Sequence, residues 1–383
     1  MRASVLILGG GVGGLVAAND LRKALPETHR VTLVDRRPDF VFAPSLLWLM
    51  TGGRTLENIS RPLARLERKG IEVIAGEIER IDPERREAVV AGRPLAADHL
   101  VIALGADLDP GAVPSLAGAG HSFYDVTGAE RLRDALAAFT GGRLVVLTAT
   151  PAYKCPAAPY EAAMLLEHYC RKRKIRERTQ IDLYAAEAGP MGVAGPEVSA
   201  AVRQMVEAKR IGYHPEHQVV EVDAGQRRLR FANGVLAEYD LLAYVPPHRA
   251  PAVLREAGLL GSSGWMTVDR HTLETKAERV YALGDSVGIP LAMGKPLPKA
   301  GVFAHREAEV VAANIARAIT GKGKPSTFDG EGECFIETGD GKAGFGKGNF
   351  YAEPVPKVTI HKPGRHWHAA KVLFEKDWLR RWF

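Results

Sequence analysis

The chain has 383 residues, 46% hydrophobic and 25% charged, a proportion that excludes a disordered or collagen-like polymer and predicts two or three packed domains. Basic residues number 51 against 45 acidic, and the net charge of +6 suits an anionic partner or surface without demanding nucleic acid. The three cysteines, Cys155, Cys170 and Cys334, are spaced by 15 and 164 residues with no CxxC pair, which excludes a zinc module and a secreted disulfide framework.

The opening MRASVLILGGGVGGL lacks a basic n-region followed by a long apolar stretch, so a cytoplasmic chain is expected. No run of about 18 apolar residues occurs, so no spanning helix is expected, while attachment to a membrane face stays open. Residues 4 to 8 (SVLIL) read as a buried strand, followed by a glycine turn and then a helical pattern with Leu15, Ala18, Leu21 and Leu25 on one face. The next strand, VTLVDRR, carries Asp35, 21 residues after Gly14, with Arg36 beside it. That spacing fits dinucleotide binding: Gly9 permits the tight turn, Gly11 lets backbone approach a pyrophosphate, Gly14 packs helix on strand, and Asp35 accepts from a ribose.

Further on, DHLVIALGA at 98 to 106 reads as a buried strand entering a turn at Ala103 to Gly105, and RVYALGDS at 279 to 286 as another, ending at Gly284 and Asp285. Between them, residues 111 to 245 form a second α/β unit built on RLVVLTAT at 143 to 150 and IDLYAAE at 181 to 187. Its first turn reads TATPAYKCP. Pro151, Tyr153, Lys154 and Pro156 cannot line a backbone that hugs a pyrophosphate, so tight NAD(P)H binding there is disfavoured.

Cys155 stands in this turn just before a helix expected to begin near Pro159, where N-terminal amides and Lys154 are expected to lower its pKa. Cys170 lies among apolar neighbours in the helix and reads as core. Cys334 falls in EGECFIETGDGKAGF, too glycine-rich for a long regular element on this reading. The run CRKRKIRER at 170 to 178 lacks aromatic interleaving and reads as a solvated helix end rather than a nucleic-acid patch. HKPGRHWH lacks a second ligand cluster, and no metal is expected. In VLFEKDWLRRWF, Phe374, Trp378, Leu379, Trp382 and Phe383 share one helical face, flanked by Lys371, Lys376, Arg380 and Arg381, the composition of an interfacial helix.

The order of GGGVGG, DHLVIALGA and YALGDS resembles flavoproteins of the disulfide reductase type. With KCPAAPYEAA at 154 to 163, LPKAGVFAHREAEVVAANI at 297 to 315 and CFIETGDGKAGF, the chain resembles the sulfide:quinone oxidoreductase and flavocytochrome c sulfide dehydrogenase family over nearly its whole length. The resemblance implies an α/β fold of two Rossmann-like domains, with an FAD domain at 1–110 and 246–325 split by the second at 111–245. A C-terminal quinone and membrane-interface region follows at 326–383. It implies FAD as cofactor, held at Gly9, Gly11, Gly14, Asp35, Arg36, Ala103, Gly105 and Asp285, with Lys299 and Gly301 near the reduced ring.

It further implies a redox pair of Cys155 and Cys334, attacked as a disulfide by hydrosulfide to give a persulfide and a thiolate that reacts with the flavin. Glu161 follows the cysteine motif and could move protons. Phe335 and Phe345 are candidate walls for a quinone. Sulfide, quinone and the inner face of the cell membrane are the implied partners, and a homo-oligomer is left open. A third cysteine common in quinone-reducing members is missing, with Tyr124 or a neighbour in its place, and a histidine expected near GPMGVAG is absent. The rival readings are a type II NADH:quinone reductase, a flavocytochrome-type subunit and a redox-silent FAD-binding partner protein.

Overall fold

A computed structural model describes residues 2–383. β-Branched and leucine-rich runs with no polar alternation need cover on both faces, and they form two parallel sheets of the expected α/β type. The first sheet runs Val280–Ala282, His99–Ile102, Ser4–Leu8, Arg30–Asp35, Glu72–Ala75, all neighbours parallel. The second runs His121–Ser122, Leu241–Val245, Gly142–Thr148, Thr179–Tyr184, Gly212–His214, also parallel throughout. Parallel neighbours require crossovers, and the helices Val12–Ala24 and Ala158–Lys172 each follow the central strand of a sheet. The chain leaves the first sheet after Ile102 and returns to it at Val280, so the second fold is an insertion in the first.

The glycine-rich segment around Cys334 differs from expectation. Glu331–Gly339, Lys342–Asn349 and Lys357–Gly364 form an antiparallel sheet of strands nine, eight and eight residues long, with one register shift in each pairing. Glycines sit here because neighbours press on the strands: a Cβ at Gly332 would meet the Phe303 ring at 2.4 Å, and one at Gly348 the Lys357 carbonyl at 2.2 Å.

The C-terminal helix Arg365–Arg381 also corrects the sequence reading. Its buried stripe is Lys371, Glu375, Trp378 and Leu379, with Trp382 buried beyond its end, and it docks on the chain's own body. Trp378 stacks on Phe40 at 4.9 Å and lies 5.4 Å from Phe42. Lys371, expected on a cationic rim, is inside, and Glu375 is held by Arg54 at 2.8 Å and Ser45 at 2.5 Å. Burying these two charges is possible because each meets an opposite charge. What stays outside is Leu373, 66% exposed, and Phe374, 47% exposed. The face turned to solvent is thus displaced from the predicted one. Among the described residues no helix is long and apolar enough to cross a membrane.

The basic run is only partly solvated. Arg176 is buried and donates to the carbonyls of Thr179 and Arg210, both at 2.7 Å, while Arg171 reaches Glu167 and Asp340.

Candidate active site

The glycine turn of the first fold is built as its spacing predicts. Gly9 has φ +105°, and a Cβ there would lie 2.3 Å from the Ala103 carbonyl, where two strand ends converge. A Cβ at Gly14 would strike the Gly9 carbonyl at 1.8 Å, so helix and turn are in close contact. At Gly11 a Cβ would meet nothing within 4 Å, which leaves open space in front of the helix Val12–Ala24. Asp35 ends its strand with its carboxylate accepting from the Gly10 and Arg37 amides at 2.7 and 2.8 Å. Arg36 turns outward to Glu77 and Asp107. Gly105, at φ +71°, donates to Ser286 Oγ at 2.8 Å and so joins the two strand ends.

A small cavity opens beside these turns, lined by Asp285, Lys299, Ala300, Phe303 and Glu307. Asp285 Oδ1 is buried with no hydrogen-bond partner, the kind of atom a bound hydroxyl would complete. Burial raises the Asp285 carboxyl against the pull of Lys154 and Lys299, and pushes Glu307 up to about 7. Lys299 donates to the carbonyls of Asp285 and Val287, both at 2.8 Å, and its ammonium lies 3.5 Å from the Trp265 ring centroid. Burial brings its pKa down to about 8. Gly301 opens the helix Gly301–Thr320, directly after Ala300 of the cavity lining.

Cys155 stands just before the helix Ala158–Lys172 and Cys334 on the strand Glu331–Gly339 that packs against that helix, near enough for the charge of Cys334 to act on the Cys155 thiol. Both are free thiols. Cys155 adopts φ +51°, a left-handed conformation rare for a residue with a Cβ, with its N–H donating to the Lys299 carbonyl at 2.6 Å. Tyr124 donates its hydroxyl to the Cys155 carbonyl at 3.1 Å. The expected low pKa is not found. Desolvation pushes the Cys155 thiol well up, and Cys334 and Glu161 raise it further. The cation that favours the thiolate is Lys371. Cys334 is pushed up to about 12 by the same burial, again opposed by Lys371. Cys170, in contrast, is fully buried in the helix Ala158–Lys172.

Glu161 lies in the first turn of that helix and is 3% exposed. Its Oε1 accepts from Lys371 Nζ and from the Glu337 amide, both at 2.8 Å, so three segments meet at one oxygen. Glu337 in turn holds His368 Nδ1 at 2.9 Å. Burial works against the charge of Lys371, but Glu161 and Glu337 outweigh it and raise its pKa. Sequence reasoning missed Lys371, Glu337 and His368. The usable signal was the spacing 371, 375, 378 and 382, which is helical and carries two charges on an otherwise aromatic stripe.

Phe335 and Phe345 are cross-strand partners with ring centroids 5.1 Å apart, so they form one wall and not two facing ones. Trp367 stacks on Phe345 at 4.4 Å, and Phe374 lies 6.2 Å from Phe335.

A family model described as pyridine nucleotide-disulphide oxidoreductase matches residues 3–308. The chain belongs to the pyridine nucleotide-disulphide oxidoreductase family. Within that family it is 29% identical to the sulfide-quinone reductase of Aquifex aeolicus, across 99% of this chain and 91% of that one. It is 23% identical to the mitochondrial sulfide:quinone oxidoreductase of Mus musculus, across 92% and 79%. The X-ray structure of the Aquifex aeolicus sulfide:quinone oxidoreductase superposes with a TM-score of 0.90 at 26% identity, covering all of this chain and 91% of that one.

Proposed function

We propose that this oxidoreductase is an FAD enzyme that oxidises sulfide through Cys155 and Cys334 and delivers the electrons to quinone. The observation that carries the reading is the buried Lys371–Glu161 pair, whose charges act on both Cys155 and Cys334, at a turn whose prolines and bulky side chains disfavour a dinucleotide phosphate. FAD would occupy the first fold, residues 1–110 and 246–325, with 111–245 as the second fold and 326–383 as the quinone and membrane-interface region. Gly9, Gly11, Gly14, Ala103 and Gly105 would shape its cradle. Asp35 would meet its ribose, Asp285 its ribityl hydroxyls, and Lys299 and Gly301 its ring edge. The unpartnered Asp285 oxygen and the open space at Gly11 fit that group. When bound, FAD supplies a two-electron acceptor that can pass the pair on to quinone.

In the oxidised enzyme Cys155 and Cys334 would be joined as a disulfide. Hydrosulfide attacks one sulfur, the S–S bond breaks, and a persulfide forms on one cysteine and a thiolate on the other. Burial makes that thiolate costly, and Lys371 is the charge placed to hold it. A second hydrosulfide removes the outer sulfur as a polysulfide, leaving two reduced cysteines, whose re-joining releases the electron pair. Glu161, bonded to Lys371, is the carboxylate placed to receive the proton released. The Phe335 and Phe345 wall would support the quinone ring, and Leu373 and Phe374 would touch the membrane surface on its inner face.

The test is a quinone-reduction assay with sulfide and NADH as competing donors. Sulfide should support turnover and NADH should not, and turnover with NADH alone would replace this reading by that of an NADH:quinone reductase.

A further inference from the structure

The second fold carries an acidic side chain that the chemistry above leaves unused. Glu187 stands three residues beyond the strand Thr179–Tyr184, the neighbour of that fold's central strand Gly142–Thr148. In a dinucleotide-binding fold an acidic residue here takes the hydroxyls of a ribose. Here three hydroxyls of the chain take it. Thr148 Oγ1 donates to Oε2 at 2.8 Å, Tyr160 to Oε1 at 2.6 Å, and Tyr153 to the same Oε1. Hydrogen bonds to a carboxylate are among the strong ones, and both tyrosines are buried, away from competing water.

Those tyrosines bracket Cys155, one two residues before it and the other five after. A left-handed cysteine persists only where its surroundings hold it. The Lys299 carbonyl and the Tyr124 hydroxyl fix its peptide groups, but neither restrains the chain on either side. The Glu187 carboxylate does, because one oxygen receives both tyrosines.

We propose that Glu187 is a positioning residue for Cys155: by gripping Tyr153 and Tyr160 it fixes the loop so that the Cys155 sulfur can reach Cys334. This rests on the reading of Cys155 and Cys334 as a redox pair. Disulfide geometry tolerates little misplacement, so a looser loop lowers the effective concentration of one thiol at the other. The same three hydroxyls fill the ribose seat, so one arrangement both positions the cysteine and closes the fold to a second nucleotide.

The test equilibrates the flavin-bound protein with glutathione buffers and measures the Cys155–Cys334 disulfide by alkylation and mass spectrometry. Glu187→Gln keeps the volume and removes the charge, while Tyr153→Phe and Tyr160→Phe each remove one hydroxyl without emptying the core. Glu187→Gln should lower the equilibrium constant for disulfide formation about tenfold, equivalent to about 30 mV. The double tyrosine variant should approach it and the single ones fall between. If Glu187 only stabilises the fold, its variant unfolds at a lower temperature with the disulfide constant within twofold of wild type, and the proposal is overturned. Should Glu187→Gln fail to retain flavin, the double tyrosine variant decides by the same criterion. A wild-type protein that forms no Cys155–Cys334 disulfide in any buffer overturns the redox-pair reading, and this proposal with it.

Discussion

The two parallel sheets share a plan of central strand, turn, helix and second strand followed by an acid, yet their turns do opposite things. In the first, Gly11 faces open space, Asp35 is held by two amides, and Asp285 keeps a buried oxygen without a partner. In the second, the turn carries Tyr153 and Cys155, and the acid Glu187 is occupied by hydroxyls of its own chain. Topology supplies the same place twice, and the side chains of one short turn decide whether it receives a ligand or presents a thiol.

The most severe way to break the contrast is to remove that thiol. Cys155→Ser should keep the first fold's flavin and lose sulfide-driven reduction on the order of 10³-fold or more, measured by stopped-flow absorbance. Unchanged reduction would take the chemistry away from the second turn. Next comes the pair that ties the cysteines to the C-terminal helix. Lys371→Met leaves the Glu161 charge buried without its partner, and urea unfolding should show a loss of about 3–5 kcal/mol. Adding Glu161→Gln should restore much of it, and a failure to do so would mean that the pair matters chiefly through packing.

The first fold has its own signature in the cavity carboxyls. Burial raises Glu307 from 4.5 to about 7, so between those values the folded chain holds a proton that the unfolded chain has lost. Its contribution to stability is full below pH 4.5 and is lost as pH rises through 7, a swing of roughly 3 kcal/mol at most. In the flavin-free protein, Glu307→Gln should flatten the pH profile of the unfolding midpoint across that window. An unaltered profile would mean that Glu307 titrates normally. The smallest effect is at the surface: Leu373→Glu should weaken sedimentation with anionic vesicles a few-fold, and unchanged binding would place membrane contact elsewhere.

Much of this contrast was legible in the sequence, because glycine spacing and the acid after the second strand are backbone requirements that local residues announce. Gly9, Gly14 and Asp35 stand where their spacing predicts, and the proline and tyrosine in TATPAYKCP already argued against a second cradle. What was not legible depends on packing between segments far apart. The strand of Cys334 is long although rich in glycine, because other elements occupy the space of the missing side chains. Lys371 looked like a surface cation, and only the burial of the C-terminal helix against the body turns it toward Glu161. The expected low pKa of Cys155 failed for the same reason: a helix start and a neighbouring lysine favour a thiolate in water, whereas desolvation dominates here. Glu187 was within the quoted strand run, but its three partners come from separate positions that periodicity does not connect.

The central claim, that electrons enter through the Cys155 turn and leave through a flavin in the first fold, is tested most directly by anaerobic titration of the flavoprotein with sulfide, followed by a soluble quinone. Sulfide should bleach the flavin absorbance in the wild type but not in Cys155→Ser or Cys334→Ser. Quinone should restore the colour. Full bleaching by sulfide in both cysteine variants would contradict the account.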